Sequence, residues 1–179
     1  DLAPHGVVPT ELLFGRVFSD EKNPSGKLAK SFRLGGVTGK ARQRILQESQ
    51  GKTDIELLTN IVFVLAEEVG GTPIGSKQVI QKMTTYDRDW MLLAGALAEN
   101  PTQDVKGTCR VPGCGGKIEL DEFHLHDLDV RVPEEKDFVR QGGFWTWLEK
   151  IPGPGGKEIP VTFRLRTVED DEEAFRGAR

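Results

Sequence analysis

A chain of 179 residues suits one compact domain or two small lobes. Its 37% hydrophobic and 29% charged residues, with a net charge of −4, exclude a disordered composition and give no overall basic surface for nucleic acid or an anionic membrane. The longest apolar run, Ile61-Val62-Phe63-Val64-Leu65-Ala66, stops at Glu67-Glu68, far short of the roughly 18 residues that cross a bilayer. Asp1-Leu2-Ala3-Pro4-His5-Gly6 lacks a basic-then-apolar signal, and the missing initiator Met is consistent with an upstream portion. Two cysteines are too few for a disulfide scaffold and fit a reducing compartment, with the pair reduced or metal-bound.

Residues 1–10 read as an extended arm broken by Pro4, Gly6 and Pro9. Leu12 to Phe18 suits a strand or short turn, Asp20 to Lys27 a solvated loop, and Lys30 to Leu34 a short strand, so a hairpin from about Val17 to Leu34 is expected. Thr38 caps a helix through Leu46. Thr53-Asp54-Ile55-Glu56 is a capping box, and Ile55, Leu58, Ile61, Val62, Leu65 and Val69 follow at helical spacing until Gly70-Gly71. A short helix over Ser76–Lys82 precedes a second capping box, Thr84 to Asp87, whose helix runs through Trp90, Leu93, Ala94 and Leu97 to Asn100-Pro101. Lys117 to Val132 reads as strand, as does Ile159 to Arg166 beyond the Pro152–Gly156 turn. Phe32-Arg33-Leu34 and Phe163-Arg164-Leu165 each run into a helix start, the second with Thr167 and Asp170 at capping-box spacing. The expected fold class is therefore α+β: a small mixed domain with a helical middle (about 38–100) and a strand-rich part carrying a Cys/His knuckle. After the 1–10 arm, residues 11–179 form one domain, its cysteine and strand part spanning 104–179.

The chemistry concentrates around Thr108-Cys109-Arg110-Val111-Pro112-Gly113-Cys114-Gly115-Gly116. Both cysteines flank a Pro-Gly turn, and His124 and His126 lie on the strand that follows. Two thiolates and two imidazoles suffice for a tetrahedral structural zinc ion, so Cys109, Cys114, His124 and His126 are the candidate ligands and one zinc the implied cofactor. The histidines share a strand face about 6.5–7 Å apart, so they converge only if the strand bends. The same residues also read as two thiols on a hairpin turn with two unrelated histidines.

No catalytic kit emerges. A cysteine nucleophile needs a basic partner in a cleft, and His5 sits in the arm. Asp121, Glu122, Asp127 and Asp129 suit a solvated strand face better than a hydrolytic pair. Gly35 to Lys40 lacks the full phosphate-loop spacing. Phe144, Trp145 and Trp147 form an aromatic patch that is either core or a partner anchor.

The order of these features resembles the baseplate-hub family of contractile phage tails, of the T-even type, and its relatives in contractile injection systems. The matching segments are Val8-Pro9-Thr10-Glu11-Leu12-Leu13, Phe32-Arg33-Leu34 with the Thr38 start, the Thr53–Val69 helix, Met83-Thr84-Thr85-Tyr86-Asp87-Arg88-Asp89, the Cys109–Cys114 turn, Leu120-Asp121 to Leu128 with Pro133, and Phe163 to Asp170. They cover roughly 8–175; the stretch from Gln141 to Gly156 departs from the pattern. The resemblance implies a non-enzymatic part that builds or closes a tail baseplate. Its partners would be other tail and baseplate subunits, with no membrane and with nucleic acid disfavoured by the acidic balance, and its place the virion baseplate or the host cytoplasm during assembly. The alternative function is a zinc-ribbon-type adaptor for nucleic acid or a regulatory protein.

Overall fold

The computed structural model describes residues 9–20, 23–100, 102–124, 138–141 and 144–177. The fold is α+β, as the sequence indicates. Strands β1 (Glu11–Asp20) and β2 (Asn23–Leu34) precede helices α1 (Gly39–Glu48) and α2 (Asp54–Leu65). Then come β3 (Ala66–Val69), β4 (Thr72–Pro73), α3 (Gln78–Gln81) and α4 (Thr85–Glu99). The second half holds β5 (Thr102–Thr108), β6 (Lys117–His124), β7 (Val139–Gln141), β8 (Phe144–Pro152), β9 (Glu158–Arg164) and α5 (Val168–Gly177).

Local signals start the helices where they were read. Thr38 Oγ1 accepts the Ala41 N–H, and Thr53 and Glu56 close a reciprocal capping box. At Thr84 only half of the box forms. Thr84 Oγ1 accepts the Asp87 N–H at 3.1 Å, but the Asp87 carboxylate turns away to accept the Phe14 N–H of β1 at 2.9 Å. Gly15, at φ 77°, lies where the β1–β2 register shifts between Glu11 and Arg16; glycine is the residue suited to that left-handed backbone. Asp87 thus ties the helix to an irregular strand.

Two expectations give way here. Asn23–Lys27 is not a loop but the start of β2, with Phe18 paired to Lys27 and Asp20 to Asn23. β2 meets β3 only from Phe32 to Leu34 among the described residues. The far side of β2 at Pro24 is therefore an edge, where a residue without an N–H is tolerated. Residues 66–69 are not the last turn of α2. Ala66 adopts extended backbone (ψ 120°), and β3 pairs antiparallel with β2, Phe32 against Val69. Gly70 and Gly71, both at positive φ, form a two-residue hairpin turn of the type that needs left-handed backbone at both positions. The four strands lie in the order β1-β2-β3-β4.

The main core lies between this sheet and the helices. Leu12, Phe32, Val62, Val69, Met83 and Met91 are buried together, and the Trp90 indole N–H donates to the Glu11 carbonyl at 2.9 Å. A smaller core joins Phe14 of β1 to Trp145 of β8 and to Leu165, flanked by Leu13, Phe138 and Trp147. It fastens the antiparallel sheet β7-β8-β9 to the rest of the chain. β9 then leads into α5, where Thr167 and Asp170 complete the capping box expected at that position. The two helix starts meet: Thr84 bridges Thr167, the Thr85 N–H donates to the Arg166 carbonyl, and the Val168 N–H donates to the Met83 carbonyl.

Candidate functional site

β5 and β6 form a hairpin with the cysteines at its closed end. Thr108 pairs with Lys117, and the Cys109 N–H donates to the Gly116 carbonyl at 2.7 Å. The Cys114 N–H donates to the Val111 carbonyl, while Gly113 and Gly115 take positive φ. This wrap brings the two side chains together. The Gly116 N–H and then the Cys109 thiol hydrogen-bond to the Cys114 sulfur and lower its pKa below the ordinary thiol range. A Cβ on Gly116 would sit 3.3 Å from Cys114 Sγ, so glycine leaves the sulfur room to lie against the turn. Both cysteines are free thiols, Cys114 exposed and Cys109 half-buried.

His124 is not brought to them. It pairs with Thr102 at the open end of the hairpin. Seven strand positions beyond Lys117, it lies about 20 Å from the turn at the usual rise per residue. Zinc holds sulfur and nitrogen at about 2.0–2.3 Å, so one ion cannot take Cys109, Cys114 and His124 of the same chain. The four-ligand reading is thereby corrected, and His126 lies outside the described residues. Among the described residues no three His, Cys, Asp or Glu side chains converge as a metal group. The sequence held a signal for this: reflection about Pro112-Gly113 sets Cys109 opposite Gly116 and sends His124 toward Thr102.

A bulge also resets the faces of β6. Gln103 pairs with Phe123 but Val105 with Leu120, and Glu122 takes φ 53°. The strict alternation expected from Lys117 to Val132 therefore breaks near Glu122, and residues 125–132 lie outside the described residues. Nearer the turn, Val105, Leu120 and Ile118 share one face, with Lys106, Thr108, Lys117 and Glu119 on the other. All three apolar side chains are exposed. Among the described elements, each of these strands has its substantial contacts only with the other.

The aromatic patch divides. Trp145 is 8% exposed, and its indole N–H points to the Gly15 carbonyl at 3.5 Å. It belongs to this chain's own small core, so of the two readings of the patch the core one holds for Trp145 and the partner-anchor one does not. Trp147 is half-buried, stacked on Phe163 at 5.3 Å and edge-on to Phe138. Phe144 stays exposed beneath the Arg164 guanidinium, 4.7 Å from its centroid. Beyond Trp147 and Phe163, Ile151 and Ile159 continue the same face as an exposed cross-strand pair.

The sequence reading missed a buried charged network that docks α5. Glu172, 1% exposed, accepts from Gln81 Nε2 at 2.7 Å and Arg176 Nη2 at 3.3 Å, with Lys77 Nζ 3.7 Å away. Arg176 also reaches Glu56 of α2, and Asp171 accepts from Thr85 Oγ1. The acidic run Glu169 to Glu173 was legible as a helix start, but which members turn inward depends on where α5 lands. An apolar cavity of about 160 Å³ lies between α2 and α4, lined by Leu34, Ile61, Leu65, Leu92 and Gly95, with Glu99 at its edge. The Glu99 carboxylate accepts the Val37 N–H, so an acidic group already occupies the backbone donor of the glycine-rich Gly35–Lys40 segment.

No family model matches the chain, and neither a curated protein nor a solved structure matches it. None of the helices among the described residues is long and apolar enough to cross a membrane.

Proposed function

We propose that this protein is a non-enzymatic structural or assembly component of a phage tail baseplate or a tail-like contractile particle. The observation that carries the reading is the β5–β6 hairpin. It presents Val105, Ile118 and Leu120 on one face to solvent and has no substantial packing against another described element. An isolated two-stranded hairpin is marginal in water, and exposed apolar side chains clustered on one face are what a neighbouring subunit covers. The exposed end of the β8–β9 hairpin adds a second such surface. The resemblance to baseplate-hub proteins, carried by the order of the segments from Val8-Pro9 to Phe163–Asp170 with the cysteine turn among them, supplies the kind of neighbour.

The test is incorporation. Particles assembled with Val105→Ser/Leu120→Ser chain are purified and their composition measured by mass spectrometry. The variant chain is expected to fall at least tenfold in particles while its circular dichroism is unchanged. Undiminished incorporation removes the hairpin from the interface, and absence of the wild-type chain from both particles and assembly intermediates removes the tail reading itself.

A further inference from the structure

We propose that the Cys109–Cys114 turn is half of a thiolate metal site, completed by the same turn of a second copy of the chain, so that four sulfurs hold one zinc ion across a two-fold interface. Structural zinc is held by four protein ligands. This turn offers two, already side by side on a backbone fixed by the Cys109–Gly116 and Cys114–Val111 hydrogen bonds. Both cysteine side chains lie against Gly116, where an added Cβ would meet Cys114 Sγ at 3.3 Å and Cys109 Cβ at 3.9 Å. The turn itself adds only Arg110, Val111, Pro112 and glycines, and His124 is at the other end of the hairpin. Among the described residues nothing supplies a third or fourth ligand to the turn, and a second copy of the turn supplies the missing pair.

Charge and shape favour a second copy. Zinc with four thiolates carries a net charge of about −2. Each copy brings Arg110 and Lys117 beside the turn, so two copies set four cations around an anionic centre that would otherwise repel one another. Val111, 63% exposed, sits in the turn between the cysteines, and Ile118, also exposed, follows the turn on β6; both supply apolar contact between the copies. A closed two-fold contact needs one self-complementary patch, and among the described elements this hairpin has its substantial contacts only within itself. Loading is balanced as four thiols and one Zn²⁺ giving one tetrathiolate complex and four protons released to buffer.

The test uses the full chain, reduced, with zinc or cobalt(II) as the only added metal. Light scattering is expected to show a doubling of mass on metal addition, reversed by chelator, with one ion bound per two chains. Cobalt should give the visible bands of tetrahedral thiolate coordination in the dimer alone. Cys109→Ser and Cys114→Ser should each abolish both dimer and colour with circular dichroism unchanged. One ion per chain on a monomer, no binding by the reduced wild-type chain, or a metal-dependent dimer that persists in the double Cys109→Ser/Cys114→Ser variant overturns the proposal. The wild-type stoichiometry decides the matter even if a variant misfolds.

Discussion

The β5–β6 and β8–β9 hairpins are built alike and end differently. Each is an antiparallel pair with apolar side chains alternating along one face, over four continuous pairs from the turn to a bulge in the first and seven in the second. At the base of β8–β9, Trp145 and Leu165 meet Phe14 from the first strand, and the chain continues into a helix docked on the main body. Val105, Ile118 and Leu120 of β5–β6 remain exposed. Period-two alternation thus encodes a face but not its occupant. An opposing apolar side chain from a distant segment, here Phe14, 131 positions before Trp145, turns one hairpin into core and leaves the other as surface.

The sharpest way to break this comparison is to empty the small core. Trp145→Ala should cost about 3–5 kcal/mol, the range for removing a buried large aromatic, read as a lower urea midpoint at unchanged slope. Phe14→Ala should fall in the same range, because the two rings lie 5.9 Å apart in one cluster. A loss under about 1 kcal/mol for Trp145→Ala would place the β8–β9 hairpin with β5–β6, as a surface element without a core.

A smaller effect is expected where α5 docks. Glu172→Ala leaves Gln81 and Arg176 without their shared acceptor, at about 1–3 kcal/mol. Arg176 is half exposed and water replaces part of the loss, so the lower half of that range applies. Glu172→Gln should recover some of it by still accepting from Gln81.

Helix starts were legible because capping is local: Thr38, Thr53 and Thr167 each accept from a backbone N–H three residues on. The end of α2 was not. Val69 continues the helical spacing of Ile55, Leu58, Ile61 and Leu65, and only pairing with Phe32 converts that stretch to strand. Asp87 shows the same limit. It stands at capping-box spacing, yet its carboxylate serves a strand 73 residues earlier. The candidate metal site was legible as to its thiols and misread as to His124. Turn chemistry fixes Cys109 near Cys114, whereas hairpin length sets how far His124 is carried away.

Acid titration compares two carboxylates with opposite signs. The Arg164 guanidinium holds Asp170 down to about 2, against an ordinary 3.8. Its stabilising contribution is present above pH 3.8 and is lost as pH falls toward 2. Burial pushes Asp87 up, against the Phe14 N–H that donates to it. Its folded form therefore takes up a proton first, and the fold gains from this group as pH falls toward 3.8. Asp170→Asn should flatten the acid loss between pH 4 and 2 in thermal melts. Asp87→Asn should compare best with wild type at neutral pH and lose ground on acidification. The reverse order of slopes would show that the two environments have been assigned the wrong way round.

The smallest expected change in stability bears most directly on function. Val105→Ser/Leu120→Ser removes a directly opposed pair, but both side chains are already exposed. Little apolar area returns to water on unfolding, so the urea midpoint should move by no more than about 0.5 kcal/mol in stability terms. This sets the variant apart from Trp145→Ala, where the same kind of truncation reaches a closed core. The difference is informative only because assembly is measured beside it. A surface that contributes nothing to the isolated chain yet is required for joining a neighbour must lose incorporation without losing stability. If instead this pair costs as much as Trp145, the hairpin is covered by the chain itself, and the subunit contact has to be sought at Phe144, Ile151 and Ile159.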